Sequence, residues 1–154
     1  LKEENKILSK QYIVENGKNF DESLWFTSYG AEVLDNPEDE GGKPFTGIAY
    51  EIYENGNLAY YGYYKEGFME GEYVEFYTNG QLKSIEYMIK GQTRGIRKMW
   101  HDTGERKYEG EHKFGICLYC TEWDKKGEII RQKFSPTDSE LKRLGRFSDH
   151  ELRG

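Results

Sequence analysis

Gly47-Ile-Ala-Tyr-Glu-Ile-Tyr-Glu-Asn-Gly56 returns 24 residues later as Gly71-Glu-Tyr-Val-Glu-Phe-Tyr-Thr-Asn-Gly80, and these two stretches decide the fold. Three glycine series keep the same spacing of 24: Gly47, Gly71, Gly95; Gly56, Gly80, Gly104; and Gly67, Gly91, Gly115. Half of the 18 glycines therefore obey one period, the mark of a repeat array. Tyr53 and Tyr77 stand three residues before the second series, with His101 in the same slot of the third unit. Leu58 and Leu82 stand two residues after it.

Each unit reads as a β-hairpin. Aromatic and β-branched runs flank Asn55-Gly56 and Asn79-Gly80. Asn-Gly between such runs predicts a type I′ turn, which needs φ > 0 at both central residues. Thr103-Gly104 keeps only the glycine. Gly67-Phe-Met-Glu-Gly71 and Gly91-Gln-Thr-Arg-Gly95 are expected to reverse the chain at the opposite edge. A degenerate fourth unit spans Ile116–Trp123 and Glu128–Phe134, with Lys126-Gly127 one residue out of phase and Tyr119 in the slot of the first glycine. Upstream, Tyr12–Gly17 and Leu24–Tyr29 are candidate strands of an atypical end unit, as the open edge of an array requires.

The expected fold is all-β: an elongated, single-layer antiparallel meander of hairpin repeats with a short C-terminal helix. Residues 1–43 are read as an N-terminal cap with an acidic loop, 44–134 as the repeat sheet and 135–154 as a helical tail. The tail helix is capped by Ser135 or Thr137 and expected to end at Gly145. With strands about 4.8 Å apart, one unit advances the sheet about 10 Å. Alternation places Ile48, Tyr50 and Ile52 on one face and Ala49, Glu51 and Tyr53 on the other, so aromatics lie on both sides.

Composition bounds the rest. The 154 residues carry a net charge of −6, with 13 Tyr, 8 Phe, 3 Trp and only 3 Pro. Leu, Ile, Val and Phe make up about a fifth, near disordered compositions, and the aromatics supply the missing apolar surface. No run approaches the 18 apolar residues of a transmembrane helix. Charge is divided unevenly: residues 1–93 hold 8 basic and 17 acidic groups, residues 94–154 hold 14 and 11. An acidic first half repels nucleic acid and anionic lipid and attracts cationic partners. The chain opens on Leu1 rather than Met; cytoplasm is the favoured compartment, with a secreted or lipid-anchored form as the alternative.

The pattern Gly-x-x-x-x-φ-Tyr-x-Asn-Gly followed by Leu resembles MORN repeats (membrane occupation and recognition nexus). Pro44-Phe-Thr-Gly47 running into Ile48–Gly56 resembles, more narrowly, the bacterial MORN-variant group of YwqK-type antitoxins. The resemblance covers residues 44–115 well and 116–134 loosely. It implies an elongated antiparallel sheet and a protein-binding role, for some members as the immunity partner of a toxin. It carries no catalytic residues.

Reactive-looking motifs are weak beside this. Cys117-Leu-Tyr-Cys120 has metal-like spacing, but a second pair is missing and residues three apart on a strand face opposite ways unless a bulge intervenes. Asp35–Gly42 departs from a calcium loop at Pro37 and Glu40. His101 occupies a repeat slot otherwise held by Tyr, which favours a packing or groove role over that of a base. Arg94, Arg97, Lys98, Arg106 and Lys107 are interleaved with Asp102, Glu105, Glu109 and Glu111, a mixed-charge surface rather than a nucleic-acid site. No catalytic residue, metal site or cofactor is expected.

The reading is a non-enzymatic protein-binding module, an antitoxin or immunity protein for a cationic toxin. Tyr50, Tyr53, Tyr61, Tyr63, Tyr73, Tyr77 and Trp100 are the expected groove residues, because Tyr and Trp give contact area at low entropic cost. Glu38, Asp39 and Glu40 are expected to steer the partner electrostatically. The alternatives are an adaptor for anionic membrane surfaces and a structural scaffold.

Overall fold

Repetition in the sequence becomes repetition of backbone. The computed structural model describes residues 7–153, with 147–153 described by backbone alone; residues 1–6 and 154, the outer ends of the expected cap and tail, lie outside the described residues, as does the side chain of His150. The N-terminal elements are α1 (Lys10–Asn16), β1 (Lys18–Asn19), α2 (Phe20–Ser23), β2 (Trp25–Phe26), β3 (Val33–Leu34) and a 3-10 turn at Glu38–Glu40. The meander follows as β4 (Gly47–Ile52), β5 (Leu58–Lys65), β6 (Phe68–Phe76), β7 (Leu82–Ile89), β8 (Gln92–Thr93), β9 (Gly95–Trp100), β10 (Arg106–Lys113), β11 (Ile116–Trp123) and β12 (Ile129–Lys133), and α3 (Asp138–Arg153) closes the chain. From β4 to β12 the strands pair antiparallel in sequence order, with β8 a short return on β7. β1 joins β4 in parallel, so the 10-stranded sheet is mixed at that one edge.

The turns differ from expectation in an instructive way. Gly56 and Gly80 have φ of 89°, whereas Asn55 and Asn79 are not among the positive-φ residues. The Gly56 N–H donates to the Tyr53 carbonyl at 2.9 Å and the Tyr53 N–H to the Asn57 carbonyl at 2.8 Å. This is a three-residue loop: a type I turn closed by a left-handed glycine, with a bulge that shifts register between Glu51 and Ile52. Asn earns its place by another bond, since Asn55 Oδ1 accepts the Asn57 N–H at 3.0 Å and Asn79 Oδ1 accepts the Gln81 N–H at 2.9 Å. The two-residue turns with both φ positive lie at the other edge: Glu66-Gly67 (51° and 87°), Lys90-Gly91 (49° and 79°) and Phe114-Gly115 (52° and 75°). The reversal expected across Gly67–Gly71 is thus complete by Gly67, and Phe68 already opens β6.

Successive hairpins are hooked together at one place. The Tyr53 hydroxyl donates to the Phe76 carbonyl at 2.7 Å, and the Tyr77 hydroxyl donates to the Trp100 carbonyl at 2.7 Å. In the third unit the His101 Nε2–H takes the same role toward the Trp123 carbonyl at 2.9 Å. Asn55 Nδ2 adds a second hook to the Thr78 carbonyl at 2.7 Å.

The N-terminal segment covers both faces of the first strands. Where a strand is expected over Tyr12–Gly17 the chain is helical through Asn16: Ser9 starts α1, its Oγ accepting the Tyr12 N–H at 3.2 Å. α1 drives the fully buried Ile13 onto Ile48, Tyr50, Leu58, Tyr61, Val74 and Ile85. On the other face Leu24, Val33 and Phe45 pack over Ala49 and Tyr64. At the far end, α3 starts in a capping box: the Glu140 N–H donates to Thr137 Oγ1 at 3.2 Å while the Thr137 N–H donates to Glu140 Oε1 at 2.9 Å. Rather than ending at Gly145, α3 runs on to Arg153; one glycine costs a helix only about 1 kcal/mol relative to alanine.

Removing a hook should loosen the stack without unfolding it. Tyr53→Phe and Tyr77→Phe are each expected to lower stability by about 0.5–1.5 kcal/mol, read as a lower urea midpoint at unchanged slope. Lys133 Nζ donates to Glu140 Oε1 at 2.8 Å, and that bond together with the Thr137 N–H holds the Glu140 carboxyl down to about 2. A depressed pKa means that this tether is intact above the ordinary carboxylate range and is lost as pH falls toward 2. Glu140→Gln should therefore reduce the helical circular-dichroism signal of α3 at neutral pH while the β signal stays.

Candidate functional site

Cross-strand register explains why one face is core at one end and open at the other. Tyr50 stands opposite Tyr61, Tyr61 opposite Val74, and Val74 opposite Ile85. The same row continues through Lys98, Glu109 and Thr121. The row is apolar where α1 roofs it and polar beyond. The buried cluster under α1 ends at Ile85, with Trp100 packed at its margin.

Beyond that margin lies a groove of about 820 Å³ across β7, β9, β10 and β11. Its floor and wall include Ile85, Tyr87, Ile96, Lys98, Tyr119 and Trp123, with Glu72, Arg94, Arg106 and Glu109 at the lips. Tyr87, Ile96 and Tyr119 keep 47%, 42% and 45% of their surface exposed, although they are large and largely apolar. Arg106 lays its guanidinium over the Trp123 ring at 4.2 Å. A hydrogen bond to the Glu111 carboxylate pushes the Tyr119 hydroxyl above its ordinary pKa and leaves the ring presented to solvent. Such an open, aromatic, mixed-charge surface can bind.

The structure divides the seven expected groove aromatics. Tyr50 and Tyr61 are interior, Tyr61 completely so, and the Tyr61 hydroxyl accepts the Leu8 N–H at 3.0 Å. They form the floor beneath α1 instead of an open groove. Tyr53 and Tyr77 are the hooks described above. Tyr63 and Trp100 are half-buried against the α1 cluster. Tyr73 lies on the opposite face, its ring across the Gly62 backbone, where a Cβ would come within 2.9 Å of it, and 5.6 Å from the Tyr60 ring. Tyr87 went unread although it repeats Tyr63 at the 24-residue spacing; Ile96, Tyr119 and Trp123 carried no such signal.

Among the charged residues, Glu38 Oε2 accepts the Ser28 N–H at 2.8 Å and so folds the acidic loop, while Asp39 and Glu40 are exposed in the 3-10 turn. The basic residues of the third unit are split between faces, Arg97 pairing with Glu86 at 3.5 Å on the side away from the groove.

A bulge revises the reading of the cysteines. Glu111 pairs with Tyr119 but His112 with Cys117, so Leu118 is extra in β11. Cys117 thereby joins Cys120 on the face opposite the groove, beside Tyr108 and His112. The Tyr108 hydroxyl sits 3.5 Å from Cys117 Sγ and 2.8 Å from His112 Nε2. Burial is the main cause raising the Cys120 and Tyr108 pKa values, and burial also lowers that of His112.

Residues 45–66 and 69–90 match the MORN repeat variant family. Those two segments are repeats of the MORN-variant type. The chain is similar to the Immunity protein YwqK of Bacillus subtilis (strain 168), 56% identical over 59 residues, which is 38% of this chain and 38% of that protein. The match to the repeat family covers β4 through β7, the part of the sheet that carries the α1 roof. Among the described residues no helix is long and apolar enough to cross a membrane.

Core and surface aromatics should separate cleanly on substitution. Tyr61→Ala is expected to cost about 3–5 kcal/mol. Tyr119→Ala, at an exposed position, should stay within about 0.5 kcal/mol. Paired chemical-denaturation curves check both.

Proposed function

We propose that this chain is a non-enzymatic immunity module that binds and neutralises a toxic protein, and that the groove across β7–β11 receives it. The carrying observation is the run of exposed Tyr87, Ile96 and Tyr119 on a face whose other half is already buried by the chain's own α1. Aromatic anchors among mixed charges are the composition of protein-binding hot spots. The acidic first half, with Asp39 and Glu40 exposed, supports long-range attraction of a cationic partner. The name of the similar B. subtilis protein points the same way. Glu72 and Glu109 offset Arg94, Lys98 and Arg106 around the groove, so it lacks the uniformly basic surface that anionic lipid would select.

The test begins with capture from the source organism at low and high salt, followed by expression of the captured protein in a susceptible host. Wild-type chain should restore growth, and its association rate should fall as ionic strength rises. A folded Tyr87→Ala/Tyr119→Ala variant should protect at least tenfold less well. Full protection by that variant would remove the groove from the mechanism, and a captured protein without toxicity would remove the immunity reading.

A further inference from the structure

The face opposite the groove holds a second constellation. Cys117 and Cys120 are the only cysteines of the chain, and the Leu118 bulge sets both thiols against one hydroxyl, that of Tyr108. Gly110 makes the space: a Cβ there would stand 2.8 Å from the Cys120 Cβ and 2.7 Å from the Tyr108 hydroxyl. The two thiols differ in access, Cys117 being half-buried and Cys120 only 3% exposed. Lys133 Nζ braces the bulge by donating to the Cys117 carbonyl at 2.7 Å.

We propose that Cys117 and Cys120 are a redox-modifiable dithiol that exchanges with low-molecular-weight disulfides (RS–SR) to form an intrachain disulfide. Cys117, the accessible thiol, attacks one sulfur of RS–SR as its thiolate; a Cys117–SR bond forms and RS⁻ leaves. The Cys120 thiolate then attacks the Cys117 sulfur, the Cys117–SR bond breaks, and a second RS⁻ leaves. The two cysteine protons end on the two released thiolates, giving two RSH: the protein loses two electrons and the small disulfide gains them. Tyr108 lies on the proton path, its hydroxyl between Cys117 Sγ and the ring nitrogen of His112. The ring so closed contains Leu118 and Tyr119, so oxidation is built into the segment that presents Tyr119 to the other face.

The test uses the full, reduced, folded chain and glutathione disulfide, followed by intact-mass spectrometry and thiol titration. The expected product has lost two hydrogens, carries no glutathione, titrates no free thiol and returns to the dithiol with dithiothreitol. Cys117→Ala, shown folded by circular dichroism, should leave Cys120 unmodified at least tenfold longer than the wild-type dithiol survives. A persistent glutathione adduct on the wild-type chain would overturn the pair as a dithiol. So would thiols that react only after denaturation. Cys120 reacting at the wild-type rate in the Cys117→Ala variant would overturn the assignment of Cys117 as the attacking sulfur.

Discussion

Each hairpin of this sheet reaches the next through a side-chain donor placed just before its turn. Tyr53 finds the Phe76 carbonyl, Tyr77 the Trp100 carbonyl and His101 the Trp123 carbonyl. The carbonyl in each case sits at the end of the neighbouring hairpin's first strand, beside the bulge where ladder register shifts. A backbone acceptor beside a bulge is satisfied by the adjacent unit rather than by its own, and so the repeat length becomes a structural requirement. Adding or removing a residue within a unit would move the donor away from its acceptor. The fourth unit is one residue out of phase, and there Asp124 replaces the aromatic slot, its Oδ1 accepting the Lys126 and Glu128 N–H groups within its own turn.

A sheet stacked this way is long but thin, and its stability has to come from elsewhere. The N-terminal segment supplies it by packing α1 on one face and Leu24, Val33 and Phe45 on the other. Both clusters sit over the first strands, which makes that end a conventional two-sided core. The rows of side chains on β9–β11 continue the same register with Lys98, Glu109 and Thr121, suited to water. The groove is the region where the roof has stopped and large aromatics have not. The buried core and the open groove are therefore successive stretches of one face.

Much of this was legible in the chain. The 24-residue glycine spacing reported the hairpin array, its strand order and both turn edges, because turns need glycine at fixed offsets whatever the packing around them. The turn type was less legible. Asn-Gly satisfies a type I′ turn and a type I turn with a left-handed glycine almost equally well, and strand twist with the bulge at Ile52 chose the second. The candidate site was read only in kind, as aromatic and on a sheet face. Tyr50 and Tyr61 show why, since a tyrosine in a strand looks the same whether a helix from far upstream lies over it or not.

What the sequence determined by itself was periodic and local: the repeat, the glycine-bearing turns, the charge division and a terminal-helix cap at Ser135 or Thr137, of which the structure uses Thr137. Tertiary structure decided which equivalent positions are core and which are surface, because that depends on where α1 docks. It also decided that Cys117 and Cys120 meet, because one inserted residue in a strand reverses the facing of everything beyond it. Alternation is a rule of regular strands, and such an insertion shows only when the paired strand is in place to reveal the mismatch.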